Sequence, residues 1–379
     1  MRLAIFIPSF GDGGVERMLV NLAGGLVRRG LQVDFVTRSR AGPYLDRLPA
    51  TVRVVELGVS GPLEVLPPLI RYLRDARPDF VLCGKDRAAR SALHARRFSG
   101  VDFGLVLRPG STVSQRLARR GAYKRWRTYR LIRRVYRQAA AVVGNSEGVV
   151  ADIAAIAGLP PSRMHLIRNP VVTPELQAEA AEPLAHPWFA PGEPPVIVAV
   201  GGLRRAKGFD TLIRAFAELH ARQACRLLIL GDGHLRESLE QLVAGLGLGD
   251  DVEMPGFESR PYRIVARSAL FVLSSRWEGS PNALTEALAL GTPVVSTDCP
   301  SGPREILAGG TVAPLVAVDH VPALAEAMAR ALADPGDRAQ RIAAVSEYSA
   351  DTCAARYHAL FESLREERAR PPAGARRHV

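Results

Sequence analysis

The stretch PVIVAVGGLRRAKGFDTLIRAFAELHARQACRLLILGDG, residues 195–233, decides the fold. Val196 to Val200 make a short apolar run that stops at the turn Gly201-Gly202. Phe209, Leu212, Ile213, Phe216 and Leu219 then recur at helical spacing, and Arg226 to Leu230 reads as the next strand. Strand, glycine turn, amphipathic helix and strand form a βαβ unit with parallel strands. The first half opens on the same plan in RLAIFIPSFGDGGVERMLVNLAGGLVRRGLQVDFVT, residues 2–37. There Leu3 to Ile7 precede a turn at Gly11, Gly13 and Gly14. Val15, Met18, Leu19, Leu22 and Leu26 line a helix, Gly30 ends it, and Val33 to Thr37 form a strand. Further strands follow in DFVLC, FGLVL and AAVVG, and later in ALFVLSS and TPVVST. Each half is therefore expected to be α/β, a doubly wound parallel sheet.

A chain of 379 residues suits two such domains. The expected division is an N-terminal domain over 1–172, a proline-rich linker over 173–195 and a C-terminal domain over 196–352. A helix over 353–367 is expected to pack back on the N-terminal domain, and the basic tail over 368–379 to be disordered. The start, MRLAIFIPSF, does not read as a signal peptide, and no apolar run reaches the ~20 residues of a membrane span. Cys83, Cys225, Cys299 and Cys353 lack metal or redox spacing, so a reduced, cytoplasmic chain without disulfides is expected. The net charge of +12 points to an anionic partner. Nearly all of it is arginine. The lysines are Lys85, Lys124 and Lys207, which makes a lysine in a glycine loop informative.

Ligands of open α/β sheets bind beyond the carboxyl ends of the strands. The loops there carry the candidate residues. In SSRWEGSPNALTEALALGTPVVST, residues 274–297, Ser280 is expected to cap a helix with Pro281 at its first position. Backbone N–H groups over Ser280, Asn282, Ala283 and Leu284, with the helix dipole, suit a phosphate. Glu278 and Glu286 would repel that phosphate but bind sugar hydroxyls well. A nucleotide-diphosphate sugar offers both; a cap plus a solvent-facing glutamate is the plainer alternative. In GGLRRAKGFD, residues 201–210, Gly202 lets a ligand approach, and Lys207 with Arg204 or Arg205 could neutralise a diphosphate. Gly13 and Gly14 sit at a helix start facing the same cleft. Glu305, in CPSGPREIL, is as good a structural candidate as a catalytic one. The segment 116–137, RLARRGAYKRWRTYRLIRRVYR, is basic, aromatic and free of acids. It suits an anionic lipid surface through Arg119, Arg120, Lys124, Arg125, Trp126 and Arg127. Nucleic acid is not expected, since no nucleic-acid module accompanies it.

The combination GGVERMLVNLA, NSEGVV, LIRNPV, GGLRRAKGFDTLIRAFA, LILGDG and EGSPNALTEALALGTPVVSTDCPSGPREIL resembles the family 4 retaining glycosyltransferases. The resemblance runs from residue 1 to about 360. It implies the GT-B fold, two Rossmann-like domains facing across a cleft. It identifies Glu278 and Glu286 with that family's E-x7-E pair. Glu278 would touch donor sugar hydroxyls, Glu286 the ribose, and Lys207 the diphosphate and leaving group; Gly14 would lie beside the donor phosphate. No cofactor and no metal are implied; the co-substrate would be a UDP- or GDP-linked sugar. Two departures stand out. Relatives often have arginine where this chain has Gly202, so Arg204 or Arg205 would have to substitute. Many place a histidine about where this chain has Arg108, in LVLRPGST, and an arginine cannot act as a base. Arg108 is therefore expected on the acceptor side with Ser111 and Glu16.

The expected function is metal-independent, retaining transfer of a hexosyl unit from a nucleotide-diphosphate sugar to a glycan or lipid-linked acceptor. Cell-surface polysaccharide, lipopolysaccharide or glycolipid synthesis is the expected setting, with peripheral attachment to the inner face of the cell membrane. The alternatives are a GT-B nucleotide-sugar epimerase, or a non-catalytic basic protein binding membrane or nucleic acid. A dehydrogenase is disfavoured, because neither half has a clean G-x-G-x-x-G after its first strand.

Overall fold

Strands buried on both faces read as unbroken apolar runs rather than alternating ones, and the strand VIVAV at Val196–Val200 is of this kind. The computed structural model describes residues 1–8, 14–39, 44–61 and 64–370. The first sheet holds β1 (Arg2–Phe6), β2 (Gln32–Thr37), β3 (Arg53–Glu56), β4 (Phe80–Cys83), β5 (Gly104–Leu107), β6 (Ala141–Gly144) and β7 (Met164–Leu166). The second holds β8 (Val196–Val200), β9 (Arg226–Leu230), β10 (Val252–Gly256), β11 (Leu270–Leu273), β12 (Val294–Thr297) and β13 (Leu315–Val316). All pairings in both are parallel, in the orders β3-β2-β1-β4-β5-β6-β7 and β10-β9-β8-β11-β12-β13. The order reverses beside β1 in one sheet and β8 in the other, which is where a doubly wound sheet opens a ligand crevice.

Seven helices position the site: α1 (Gly14–Arg28), α2 (Asp86–Ser99), α3 (Ala122–Tyr136), α4 (Glu147–Ala157), α5 (Phe209–His220), α6 (Asn282–Ala289) and α7 (Ala350–Ala369). Leu3 and Ile5 of β1, with Ile7 just after it, pack with Met18 and Leu22 of α1 and Tyr357 and Phe361 of α7. Ala4 and Phe6 face the other way, toward Ala92 of α2, Ile132 of α3 and Ile153 of α4. The second sheet repeats this: Ile197 and Ala199 meet Phe216 of α5, while Val196 and Val198 meet Leu284 and Leu288 of α6. Each such fully buried large side chain is worth roughly 1.5–3 kcal/mol. Helix α7 thus belongs to the first core although it follows the second sheet in sequence. Gly25 permits that docking, since a Cβ there would lie 2.7 Å from Ala354 Cβ.

The chain crosses between the sheets twice, and the crossings are bonded to each other. The Val171 and Val172 N–H groups both donate to Tyr348 O at 3.0 Å, and Ala350 N–H donates to Val172 O at 2.9 Å. The stretch 173–195 carries a helix, Pro174–Ala181, capped by the Thr173 side chain, and its Leu176 is buried in the second core. Sequence periodicity missed this helix because its apolar face is a single leucine. A second difference lies at α6, which starts at Asn282 with Pro281 as its extended N-cap residue and no side-chain cap. Pro281 is extended rather than helical, so Ser280 and Pro281 each lie one position earlier than expected. The tail beyond Arg370 lies outside the described residues.

Candidate functional site

The carboxyl ends of both sheets face one cavity of about 370 Å³. On the second sheet, β8 ends in Gly201-Gly202 and β11 ends ahead of Ser274 and Ser275, and the two strands are neighbours. This adjacency brings the Lys207 loop against the Glu278 loop. Lys207 Nζ donates to Glu278 Oε1 at 2.6 Å, and Ser275 Oγ donates to the same oxygen at 2.7 Å. The lysine turn ends at Gly208, with φ of 62°, where a Cβ would lie 2.2 Å from Ser274 O. Only glycine fits there. Arg276 fastens the loop from outside, donating from Nη1 to Arg205 O at 3.0 Å and pairing with Asp210 and Asp319. Burial pushes the Asp210 carboxyl up, but the Arg276 hydrogen bonds and charge win and hold it below the ordinary carboxylate value.

Gly202 is bare at the cleft wall, and a Cβ on it would sit 3.3 Å from Arg204 Nε. The Arg204 side chain therefore lies over the position that Gly202 leaves vacant. Arg204 lines the cavity and Arg205 does not. The first turn of α6 supplies backbone N–H groups without intrahelical partners, and Ser280, Pro281, Asn282 and Ala283 line the same cavity. Leu284 is wholly buried in the second core, so its side chain serves packing and not the cleft.

From the first sheet come Gly14, Arg17, Arg108, Gly110, Asn145 and Asn169. Arg17 reaches across to bond the Glu286 carboxylate, 269 residues away in sequence. Its guanidinium also lies 5.4 Å from the ring centre of Tyr262 and 5.9 Å from that of Tyr44. Burial opposes the Arg17 charge, yet Glu286 and the two tyrosines outweigh it and hold the guanidinium above its ordinary value. Glu286 is consequently buried beneath Arg17 and does not itself line the cavity. A polar chain runs beside this pair. The Arg108 guanidinium donates to Asn169 Oδ1, Asn169 Nδ2 donates to Asn282 Oδ1 at 2.6 Å, and Asn282 Nδ2 donates to Gly14 O at 3.0 Å.

Of the remaining expected residues, Glu16 is buried behind the cleft and accepts from Lys85 Nζ at 2.6 Å. Ser111 pairs through its backbone with Gly279, where a Cβ would lie 2.1 Å from Gly110 O, so two loops from opposite sheets touch. Gly13 lies outside the described residues. Glu305 is structural: it accepts from the Glu147 and Gly148 N–H groups at 2.9 and 3.2 Å, closing the start of α4 from the opposite domain, and pairs with Arg168. Sequence reading passed over Arg17, Asn145 and Asn169. Each sits in a segment that carried the family resemblance, GGVER, NSEGVV or LIRNPV, but no local pattern assigns those side chains a partner.

Away from the cleft, α3 buries Ile132, Val135 and Tyr136, packs Tyr129 and Leu131 partly against the same core and turns its basic residues outward. Arg119, Arg120, Lys124, Arg125 and Arg127 are exposed, and Trp126 is 55% and Tyr123 72% exposed. The two rings stack at 6.1 Å, and Arg130 lies over Trp126 at 5.5 Å. No helix among the described residues is long and apolar enough to cross a membrane. The described residues also contain no cluster of three His, Cys, Asp or Glu side chains that could hold a metal ion.

Residues 12–174 match the family model Glycosyltransferase Family 4, and residues 183–347 match Glycosyl transferases group 1. The chain is 29% identical over 332 residues to the N-acetylgalactosamine-N,N'-diacetylbacillosaminyl-diphospho-undecaprenol 4-alpha-N-acetylgalactosaminyltransferase of Campylobacter jejuni, covering 84% of this chain and 87% of that protein. It is 26% identical over 327 residues to the lipopolysaccharide core biosynthesis glycosyltransferase LpsE of Rhizobium meliloti, covering 85% and 86%. In fold it is similar to the crystal structure of Anabaena HepE in complex with UDP-glucose, with a TM-score of 0.71 at 18% identity, covering 97% of this chain and 99% of that one.

Proposed function

The chain belongs to the family 4 glycosyltransferases and has the GT-B fold, and from that premise we propose a retaining hexosyl transfer. The donor is a UDP- or GDP-linked sugar, and the acceptor is a hydroxyl of a glycan or lipid-linked glycan in cell-surface polysaccharide, lipopolysaccharide or glycolipid synthesis. The observation that carries this reading is the convergence of Lys207, Arg204, Glu278 and the start of α6 on one cavity between the sheets.

The diphosphate lies against the first turn of α6, where unpaired N–H groups and the helix dipole favour anions. Lys207 and Arg204 neutralise it, Arg204 replacing the arginine that the family often has at Gly202. Glu278, oriented by Lys207 and Ser275, accepts from sugar hydroxyls. Glu286, which the Arg17 guanidinium covers in this structure, would accept from the ribose once that guanidinium is drawn aside. Glu278 already engages a cation and a hydroxyl, which suits a binding group better than a nucleophile. Transfer then proceeds on one face: the acceptor oxygen bonds to the anomeric carbon as the bond to the diphosphate breaks. The acceptor proton passes to the departing phosphate oxygen. The cations in the cleft do the work that a metal does elsewhere, so EDTA leaves the rate unchanged. Exposed Trp126 and the arginines of α3 hold the enzyme on an anionic membrane surface where a lipid-linked acceptor is presented.

The test is a screen of UDP- and GDP-sugars for nucleotide release with lipid-linked and soluble acceptors, with the product anomer read by NMR. An inverted product refutes retention, and an isomerised donor formed without acceptor makes the enzyme an epimerase. Vesicle co-sedimentation tests the surface. Trp126→Ala with Arg125→Glu abolishes binding to anionic vesicles if α3 is the contact, and unchanged binding refutes it.

A further inference from the structure

The arginine at the end of β5 is unlike the other interior arginines lining the site. Arg17 is matched by Glu286, and Arg168, elsewhere at the interface, by Glu305. Arg108 is 2% exposed and no carboxylate among the described residues pairs with it. A guanidinium carries five N–H donors, and the groups that meet them here are neutral: the Asn169 amide oxygen and the Tyr357 hydroxyl. Beneath it lie Tyr357 and Cys353 of α7, whose own ionisation burial pushes up to about 12, so both are neutral and supply no counter-charge. Burial accordingly pushes the Arg108 guanidinium below its ordinary value. A desolvated, uncompensated cation at a cavity wall is a standing demand for an anion.

A second orphan sits next to it. Asn145 is also 2% exposed and lines the cavity, and its Oδ1 is buried without a hydrogen-bond partner. Both side chains flank Gly110: a Cβ there would lie 3.5 Å from Arg108 Nη1, and Asn145 Nδ2 is 3.5 Å from Gly110 O. One wall thus offers a fork of donors for a planar oxyanion and, beside it, an acceptor for a hydroxyl. The diphosphate is provided for from the second sheet by Lys207, Arg204 and α6, whose start meets this wall through the Asn169–Asn282 hydrogen bond. We infer that Arg108 and Asn145 form a subsite for a sugar that carries a carboxylate, a hexuronate-type unit, with Arg108 the residue that selects it. This rests on the glycosyltransferase reading and narrows its substrate class.

The carboxylate could belong to the transferred sugar or to the acceptor, and two arms separate these. One compares UDP-glucuronate and UDP-galacturonate with UDP-glucose and UDP-galactose as donors. The other compares uronate-ended with neutral lipid-linked acceptors. In one arm the wild type is expected to prefer the charged partner by at least ~10-fold in kcat/KM. Arg108→Gln collapses that ratio to within ~3-fold while UDP affinity by calorimetry is unchanged. Asn169→Asp, nearly isosteric, puts a carboxylate on the guanidinium and does the same even if Arg108→Gln fails to fold. Preference for neutral partners in both arms overturns the inference alone. A loss of UDP affinity in Arg108→Gln equal to its loss in rate also overturns it, because Arg108 would then serve the diphosphate. Absence of nucleotide binding and of transfer with every donor overturns the glycosyltransferase reading itself.

Discussion

Replacing Lys207 by methionine keeps the length of the side chain and removes its charge. On the proposed reading the lysine has two tasks. Its ammonium lies 2.6 Å from Glu278 Oε1 and lines the cavity, so it would neutralise a carboxylate that otherwise repels the donor and would face the leaving diphosphate. Removing one preorganised group that stabilises developing charge costs ~10²- to 10³-fold in kcat, about 2.7–4 kcal/mol. Lys207→Met is expected in that range, with kcat falling more than KM for the donor rises, because charge on the leaving oxygen grows toward the transition state. The double variant Lys207→Met, Glu278→Gln separates the tasks. If the lysine acts on the diphosphate, removing the carboxylate charge as well leaves the loss at ~10²-fold or more; if it only neutralises Glu278, the double variant recovers to within ~10-fold. The assay is nucleotide release under saturating acceptor, with UDP affinity measured separately by calorimetry. A kcat within ~3-fold of wild type in Lys207→Met refutes the reasoning.

Glu286→Ala leaves the Arg17 guanidinium buried without its partner, and urea unfolding is expected to show a loss of ~3–5 kcal/mol. Arg17→Met with Glu286→Leu restores most of that stability without restoring transfer. Gly208→Ala puts a side chain where φ is 62° and Ser274 O is 2.2 Å away; a stability loss of at least ~1–3 kcal/mol and a displaced Lys207 turn should appear in denaturation and rate measurements. Asp210 has a folded ionisation below its ordinary value of 3.8, so its contribution is complete above that pH and is lost as pH falls through the lower folded value. The urea midpoint between about pH 4 and pH 2 should fall less steeply in Arg276→Met than in wild type; parallel slopes would exclude the pair as a source of acid sensitivity.

The parallel sheets were legible because each strand carries its own signature. Val196–Val200 and Leu3–Ile7 are apolar throughout, and a strand buried on both faces needs nothing else. The edge strands β3 and β13 had no such signature, being half-buried and short. The loops that bear chemistry were legible for a related reason: in this architecture they must follow strands, and Lys207 and Glu278 follow β8 and β11. Sequence alone, then, determined that two βαβ-built halves exist, that glycine turns end their first strands, that a lysine follows the first strand of the second half and that two glutamates follow a later one. Tertiary structure decided the partners. Sheet order made β8 and β11 neighbours and so joined Lys207 to Glu278. The facing of two domains buried Glu286 under Arg17 and left Arg108 without an acid among the described residues. Local periodicity records which side of an element is buried, whereas an ion pair spanning 269 residues depends on how two separately folded sheets meet.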